Sequence, residues 1–366
     1  MIHKSKVTLL FFLVTFQSWA QTELVNLGGT SFVTVSDQVP EELASDRSLV
    51  VISVPNIIKE GYEVRGDWKK LAMKVHKFFR KMSIDPIAYI YQGDLNAGPE
   101  VNRAYLDLFE KRKVKNIVYL RQEGTFPNES YYLMATGYYP ESYIKNGQAA
   151  WISEHTELEQ LLVRMGRQIL RQQIDRTNML IPEYPDYLQD IAVFAGTRFE
   201  NFPSRLKTLK LAVVAFQHVS EENVNGSTES AAAIAAYNEL IDEKNARLAD
   251  LMLSYPFKYD IVTETSEDAL YKAGYQYALV PLTSTGKSIK SILNYPTNKS
   301  ETHYMTNTFT FDGKIALDKI PVDAIVTKYY IKQTIVKDIH TGKVWDANPG
   351  WEKALENFMF YLNEAF

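Results

Sequence analysis

The most enzyme-like residues of this chain lie in the string Pro281-Leu-Thr-Ser-Thr-Gly286-Lys287-Ser288. A phosphate-binding loop has the form G-x-x-x-x-G-K-[ST], in which the glycines let backbone N–H groups wrap a phosphate. Here Pro281 replaces the first glycine, and proline fixes φ and removes a donor. The string also contains the serine–lysine spacing of penicillin-recognising enzymes, but no Lys-Thr-Gly triplet follows it. We therefore interpret it as a polar loop and predict no bound nucleotide or other cofactor.

Metal and nucleophile chemistry find little support in the residue types. The chain has no cysteine, which excludes thiolate metal ligands and a cysteine nucleophile. None of its six histidines stands in an HExxH or HxH arrangement, so the spacing predicts no metal site. No G-x-S-x-G motif positions a serine nucleophile, although a catalytic triad assembled only in space stays open.

Carboxylates are plentiful, and a glycosidase needs only two of them in the right place. Six of them fall near the ends of predicted strands or in loops, and the sequence ranks none above the others: Glu63, Asp67, Asp94, Glu100, Glu123 and Glu141. An exported hydrolase that acts on glycans, with a carboxylate pair in a cleft between two modules, is therefore the alternative functional hypothesis.

Basic residues are concentrated in one predicted helix. Residues 47–176 carry 20 Lys and Arg against 15 Asp and Glu, whereas the whole chain has a net charge of −4. The candidate binding residues of this helix are Lys69, Lys70, Lys74, Lys77, Arg80 and Lys81. Such a face is either solvated or engages an anionic membrane or glycan. The mild overall charge argues against a nucleic-acid partner.

The first twenty residues have the layout of a secretion signal. Lys4 and Lys6 precede an apolar run over residues 7–16, and small residues, Ser18 and Ala20, stand at −3 and −1 before Gln21. The run is too short to cross a bilayer as a helix, and no later apolar run is long enough. We therefore expect export, cleavage after residue 20, and a mature chain that is soluble in the periplasm or outside the cell, with no transmembrane span. The missing cysteine also excludes a bacterial lipid anchor at that position.

Apolar periodicity predicts an α/β fold with mixed sheets. The chain's hydrophobic fraction of 46 % and charged fraction of 23 % are those of a globular protein. The two halves of the chain both follow the order β-α-β-α-β-β-β-α, with insertions in the second. We interpret this as tandem duplication of one module, the alternative being coincidence, because βα alternation is common. The predicted parts are a signal peptide (1–20), a first module (21–177), a linker (178–206) and a second module (207–366).

The end of the second module carries the motif Asp338-x-x-Thr341-Gly342-Lys343-Val344-Trp345 after a long alternating strand and before a terminal helix. This arrangement resembles the periplasmic α/β modules of curli-export and penicillin-binding-protein-activator lipoproteins. The resemblance covers residues 207–366 and implies a non-catalytic envelope protein that works through contacts. It differs in the Lys-to-Trp spacing and in the missing lipid-anchoring cysteine. A second set of candidate binding residues comes from this turn and strand end: His340, Thr341, Lys343 and Trp345.

These observations favour an exported, non-enzymatic cell-envelope protein that binds a protein or a glycan. Contact with an anionic surface through the basic helix is a third hypothesis.

Overall fold

The computed structural model describes residues 22–27, 30–125, 127–188, 191–219, 228–296, 298–311 and 313–366. Within them the chain forms mixed α/β structure with two large sheets, which confirms the predicted fold class. Residues 1–20, the predicted signal, lie outside the described part of the chain. In that part, none of the helices combines the length and the apolar character that crossing a membrane requires.

The first sheet contains seven described strands in the order β1-β2-β9-β8-β7-β3-β6. The elements in chain order are β1 (Thr22–Asn26), β2 (Thr30–Ser36), β3 (Arg47–Ser53), the hairpin β4 (Ile57–Lys59) and β5 (Tyr62–Val64), α1 (Trp68–Met82), β6 (Asp85–Tyr91), α2 (Gln92–Leu95), α3 (Pro99–Lys111), β7 (Asn116–Glu123), β8 (Ser130–Gly137), β9 (Gln148–His155) and α4 (Leu158–Gln172).

Strand β3 is central because both of its faces are covered. Residues 49–52 are apolar and fully buried, and β3 pairs in parallel with β6 on one side and β7 on the other. A continuous apolar run is the pattern expected of a strand between two layers of helices.

Helices α1 and α4 form one layer on this sheet. The Asp67 side chain accepts from the backbone N–H of Lys70 at 3.2 Å and so caps the start of α1. The helix ends at Ser83, which has a left-handed φ of 62°. For α4 the Thr156-x-x-Glu159 pattern suggests a capping box, but the cap residue is Glu157 and no side-chain bond closes it.

The second sheet contains six described strands in the order β10-β17-β16-β13-β11-β12. Its part of the chain runs through β10 (Arg198–Phe199), a 3-10 turn (Ser204–Lys207), β11 (Leu211–Val214), α5 (Thr228–Met252), β12 (Tyr259–Val262), α6 (Glu267–Lys272), β13 (Tyr277–Thr285), α7 (Gly286–Ile292), the hairpin β14 (Tyr304–Phe311) and β15 (Lys314–Pro321), β16 (Ile325–Gln333), β17 (Ile339–His340) and α8 (Trp351–Glu364).

The two sheets share one strand plan. In each, a central strand (β3 or β11) is parallel to two neighbours, and two antiparallel strands follow on one side. A further strand (β2 or β10), which precedes the central strand in the chain, pairs in parallel with the outer one. One helix follows the last common strand in both halves.

The segment predicted as a linker, residues 178–206, is divided between the halves. Near its start, Asn178 donates to the carbonyl of Ser83, and the backbone of Tyr187 bridges that of Tyr89 beside β6. Near its end, β10 adds to the edge of the second sheet by pairing with β17.

The two halves are packed together through a shared apolar cluster, which joins side chains such as Leu49 and Tyr105 to Val280 and Trp345. At one crossing, the backbone N–H of Thr283 donates to Ala97 at 2.7 Å. A Cβ on Gly98 would stand 2.9 Å from the carbonyl oxygen of Pro281, so the absence of a side chain permits this close approach.

Candidate functional site

The basic helix presents its predicted binding residues outward. Its buried stripe packs on the first sheet, which leaves Lys70, Lys74, Lys77, Arg80 and Lys81 exposed. Lys69 is half-buried, with Nζ 5.3 Å from the centre of the Tyr187 ring. In the described part of the chain, none of these six side chains forms an ion pair.

The inner side of the same helix carries a fully buried histidine. Nε2 of His76 lies 2.9 Å from the carbonyl oxygen of Pro182, which can only accept, so Nε2 donates. Nδ1 of the neutral ring then accepts from the hydroxyl of Tyr89 at 2.9 Å. His76 therefore holds the chain that follows α4 against α1.

This histidine makes stability depend on pH. Burial lowers the pKa of His76 below its ordinary value, and the hydrogen bond to Pro182 opposes that effect only in part. The unfolded chain therefore takes up a proton near pH 6.5 that the folded protein resists. We expect the free energy of unfolding to fall as pH drops below about 6.5, by at most about 1.4 kcal/mol per pH unit for this group.

Urea unfolding measured at several values between pH 7.5 and pH 5 checks this expectation. His76→Gln should flatten the dependence, whereas His303→Gln, at an exposed position, should leave it unchanged. Part of the slope should survive in His76→Gln, because burial also lowers the pKa of His340. Equal slopes in wild type and His76→Gln would contradict the assignment.

The second candidate set, His340, Thr341, Lys343 and Trp345, lies in a largely closed environment. The predicted turn and strand end are wrong in detail: His340 is on strand β17, and Trp345 lies outside the described strands. His340 donates from Nδ1 to the carbonyl of Asn201 at 2.8 Å, and the hydroxyl of buried Thr341 accepts from Arg198 at 3.2 Å. Trp345 is buried edge-on to the Tyr295 ring, 5.2 Å between centres. Lys343 is exposed at the rim of a cavity of about 280 Å³ that reaches Asp346. Lys343 is therefore the member of this set that faces solvent.

A second cleft, of about 440 Å³, lies between the two halves. At its base, Arg65 pairs with both carboxylate oxygens of Asp94, and its guanidinium carbon lies 4.4 Å from the centre of the Tyr91 ring. Ser284, from β13 in the other half, donates to Asp94 at 3.3 Å. This network joins charged and hydroxyl groups from both halves at one place.

Residues 284–288, from the string that resembles a phosphate-binding loop, form one wall of the cleft. Strand β13 ends at Thr285 and α7 begins at Gly286, so no loop separates them. The backbone N–H groups of Gly286 and Lys287 donate to the carbonyls of Ala324 and Val322, each at 3.0 Å. A phosphate loop needs such N–H groups to point at the ligand, so this string is not built as one. Lys287 itself is exposed at the cleft.

The carboxylates named from the sequence are dispersed. Asp67 and Asp94 line the cleft, where a third carboxylate, Asp323, joins them. Glu100 pairs with Lys332, Glu123 with Arg121, and Glu141 accepts from the hydroxyl of Tyr139. Across the described residues, no group of three or more His, Cys, Asp and Glu side chains is arranged to hold a metal ion.

Sequence reasoning missed a buried ion pair. Lys328 on β16 and Asp346, which lies just beyond Trp345, form an ion pair inside the second half. Burial raises the pKa of Asp346, and the ammonium group of Lys328 opposes that rise. Lys328 and Lys332 fall on the same face of β16, whose other residues are mostly apolar. This spacing is the signal that could have pointed to both lysines.

Neither a known protein family, nor a curated protein, nor a solved structure matches this chain. The geometry of its own residues must therefore carry any functional conclusion.

Proposed function

We propose that this chain is an exported, non-enzymatic protein of a bacterial cell envelope that binds a glycan in the cleft between its two halves. The observation that supports this most strongly is the Arg65–Asp94–Ser284 network, which fixes donors and acceptors beside apolar walls. Small-molecule sites combine a concave, mostly apolar surface with a few convergent polar groups. Export is supported by the signal-like layout of residues 1–20.

The charge balance of the cleft favours an uncharged ligand. Its lining contains three basic and three acidic side chains: Arg65, Lys69, Lys287, Asp67, Asp94 and Asp323. Sugar hydroxyls both donate and accept, and the lining also offers exposed Lys287 as donor, exposed Asp323 as acceptor and Ser288 as either. A volume of about 440 Å³ lies in the range of small-ligand sites. These features together support a short glycan segment rather than an anionic ligand.

A glycan-directed hydrolase is the second candidate, because three carboxylates line the same cleft. Hydrolysis requires one carboxyl group as acid and another as base or nucleophile. Both oxygens of Asp94 accept from Arg65, and Asp67 caps α1, so each already has a structural partner. Catalysis would have to pair exposed Asp323 with one of them, which makes binding the better supported function.

Filling the cleft with a large side chain should weaken glycan binding. Ser288 lines the cleft, and Ser288→Trp should weaken the affinity for cell-wall oligosaccharides at least about tenfold, because the indole would occupy the ligand volume. Isothermal titration calorimetry with glycan fragments measures this affinity. Ser300→Trp, at an exposed turn in the same half, is the matched control and should bind like the wild type.

Incubation of the protein with the same glycan fragments, followed by a reducing-end assay, separates the two candidates. If reducing ends accumulate during incubation and Asp323→Asn stops their release, the chain is a hydrolase. If no glycan fraction binds, or if both tryptophan variants bind equally well, the cleft is not the site.

We also propose that the halves arose by tandem duplication. The support is the common plan of six strands, in which β2 and β10 correspond as well as the five strands that follow. A relation of the second half to the curli-export and penicillin-binding-protein-activator modules stays a proposal, supported by the motif from Asp338 to Trp345.

A further inference from the structure

We propose that the outer face of α1 and α4 docks on an anionic lipid bilayer, with Met179 and Leu180 entering the headgroup region. This surface lies on the first half and does not depend on the glycan proposal. It is called the basic face below and comprises the exposed residues of the two helices together with residues 176–184.

The basic face has a charge that the molecule does not balance. Together, α1 and α4 carry nine Lys and Arg side chains and one acidic side chain, Glu159. In the described part of the chain, none of the nine is in an ion pair; besides the six of α1 they are Arg164, Arg167 and Arg171. By contrast, α5 carries five acidic and two basic side chains. The longest described helix therefore does not share this positive excess.

Apolar side chains project from the same face. Met179 is 80 % exposed and Leu180 96 % exposed, and on α4 Leu170 is 64 % exposed. Leaving such side chains in water is unfavourable. Exposed apolar side chains surrounded by basic ones are typical of a surface that binds a membrane peripherally.

The segment that carries Met179 and Leu180 is held at both ends. Before it, Arg176 donates to the carbonyl of Lys81 at 2.6 Å and Asn178 donates to that of Ser83 at 3.1 Å. After it, His76 donates to the carbonyl of Pro182. The two apolar side chains therefore stand outward from a fixed piece of backbone, so little ordering is needed when they are buried.

A groove beside this segment fits a lipid headgroup. It has a volume of about 830 Å³, and its cationic lining consists of Lys77, Arg80, Lys81 and Arg176, with Glu183 as its acidic member. Phosphate is the anion that Arg and Lys bind best in this arrangement. Met179 lines the same groove, so a phosphodiester bound there would lie beside an exposed apolar side chain. The combination of phosphate-binding cations with exposed apolar side chains favours a bilayer over a soluble acidic protein.

Vesicle sedimentation tests the proposal. Wild type and variants are produced in the same way and have the same N terminus. Any vesicle binding by the apolar residues 7–16 is then the same in every sample and does not affect the comparison. We expect binding to vesicles that contain phosphatidylglycerol and little binding to pure phosphatidylcholine. Binding should fall steeply between low and about 1 M salt, where the Debye length is about 3 Å.

The variants separate charge from insertion. The triple variant Lys74→Glu, Lys77→Glu and Lys81→Glu should weaken binding at least about a hundredfold. The matched control reverses three exposed lysines elsewhere, Lys244, Lys314 and Lys353, and should bind like the wild type. The pair Met179→Asn and Leu180→Ser should weaken binding about tenfold and keep the salt dependence, because only the apolar contact is lost.

The opposite results overturn the proposal. Equal binding to both kinds of vesicle would contradict it, and so would an equal loss of vesicle binding in the triple variant and its control. Release of the protein from vesicles by millimolar inorganic phosphate would indicate a site for the free anion instead. Selective capture of a soluble acidic polypeptide at the basic face, with no vesicle binding, would assign the surface to a protein. Circular dichroism confirms that each variant is folded, and Ser288→Trp should bind vesicles normally, which separates this surface from the cleft.

Discussion

Replacing Lys328 by methionine should lower the free energy of unfolding by about 3–5 kcal/mol, because the change leaves a buried carboxylate without its partner. Lys328 is 1 % exposed and Asp346 is 4 % exposed. The cost therefore comes less from the lost attraction than from a charge that neither water nor protein compensates. Urea denaturation at neutral pH measures it.

The dependence on pH identifies the carboxylate as the cause. Burial raises the pKa of Asp346, and without Lys328 the folded protein should hold that proton more tightly still. The folded variant then binds more protons than its unfolded chain above about pH 4. The sign follows from linkage: the stability of Lys328→Met should decrease as pH rises from about 4 toward neutral.

Two further variants bound the interpretation. Lys353→Met removes an exposed lysine whose partner, Glu356, is also exposed, and should change stability by no more than about 0.5 kcal/mol. Replacing both buried partners, as Lys328→Met with Asp346→Leu, should restore most of the loss, because no unpaired charge remains. A Lys328→Met variant as stable as Lys353→Met would show that the pair is not buried as described.

Local signals in the sequence located most helices and central strands. Asp67 marks the start of α1, and apolar residues at helical spacing mark its length. The all-apolar residues 49–52 mark the central strand. Strand β10 was missed because it has two residues, and its partner β17 lies about 140 residues further on. Hairpin strand β15 was missed because its outward side chains, which include Leu317 at 70 % exposed, give no clean alternation.

The candidate sites divide along the same line. The basic face of α1 was visible in the sequence, since helical spacing alone separates Lys70 and Lys74 from the buried stripe. The sequence did not show that Met179 and Leu180 lie beside these basic residues, because that placement depends on hydrogen bonds that hold a later segment against α1. Arg65 and Ser284 are 219 positions apart, and no local pattern could have joined them. Non-local contacts thus assemble the candidate sites, while local patterns determine the helices and strands that carry them.

Replacing Lys332 should show how far the two halves behave as one folding unit. Lys332, on β16, is 3 % exposed and lies between two carboxylates: Glu267 of the same half and Glu100 at the start of α3 in the other half. Lys332→Met would leave two half-buried carboxylates facing each other without the cation between them. We expect a loss of about 2–3 kcal/mol in the free energy of unfolding, less than for a fully buried pair because both carboxylates keep contact with water, and a loosened contact between the halves.

Hydrogen exchange followed by mass spectrometry separates these two effects, because it reports opening of each half independently. In the wild type the buried strands β3 and β11 should exchange at similar rates, since one apolar cluster joins the halves. In Lys332→Met the rates should diverge. Lys210→Met, which removes the exposed pair with Asp260, is the matched control and should leave both rates unchanged.

The outcome that would contradict the argument is specific. If Lys332→Met loses stability but β3 and β11 still exchange together, the lysine supports the second half alone and the apolar cluster suffices to join the two. If Glu100→Gln restores common exchange to Lys332→Met, the repulsion between the carboxylates is what separates the halves. That rescue would place the coupling at Lys332–Glu100, the one ion pair among the described residues that joins the two halves.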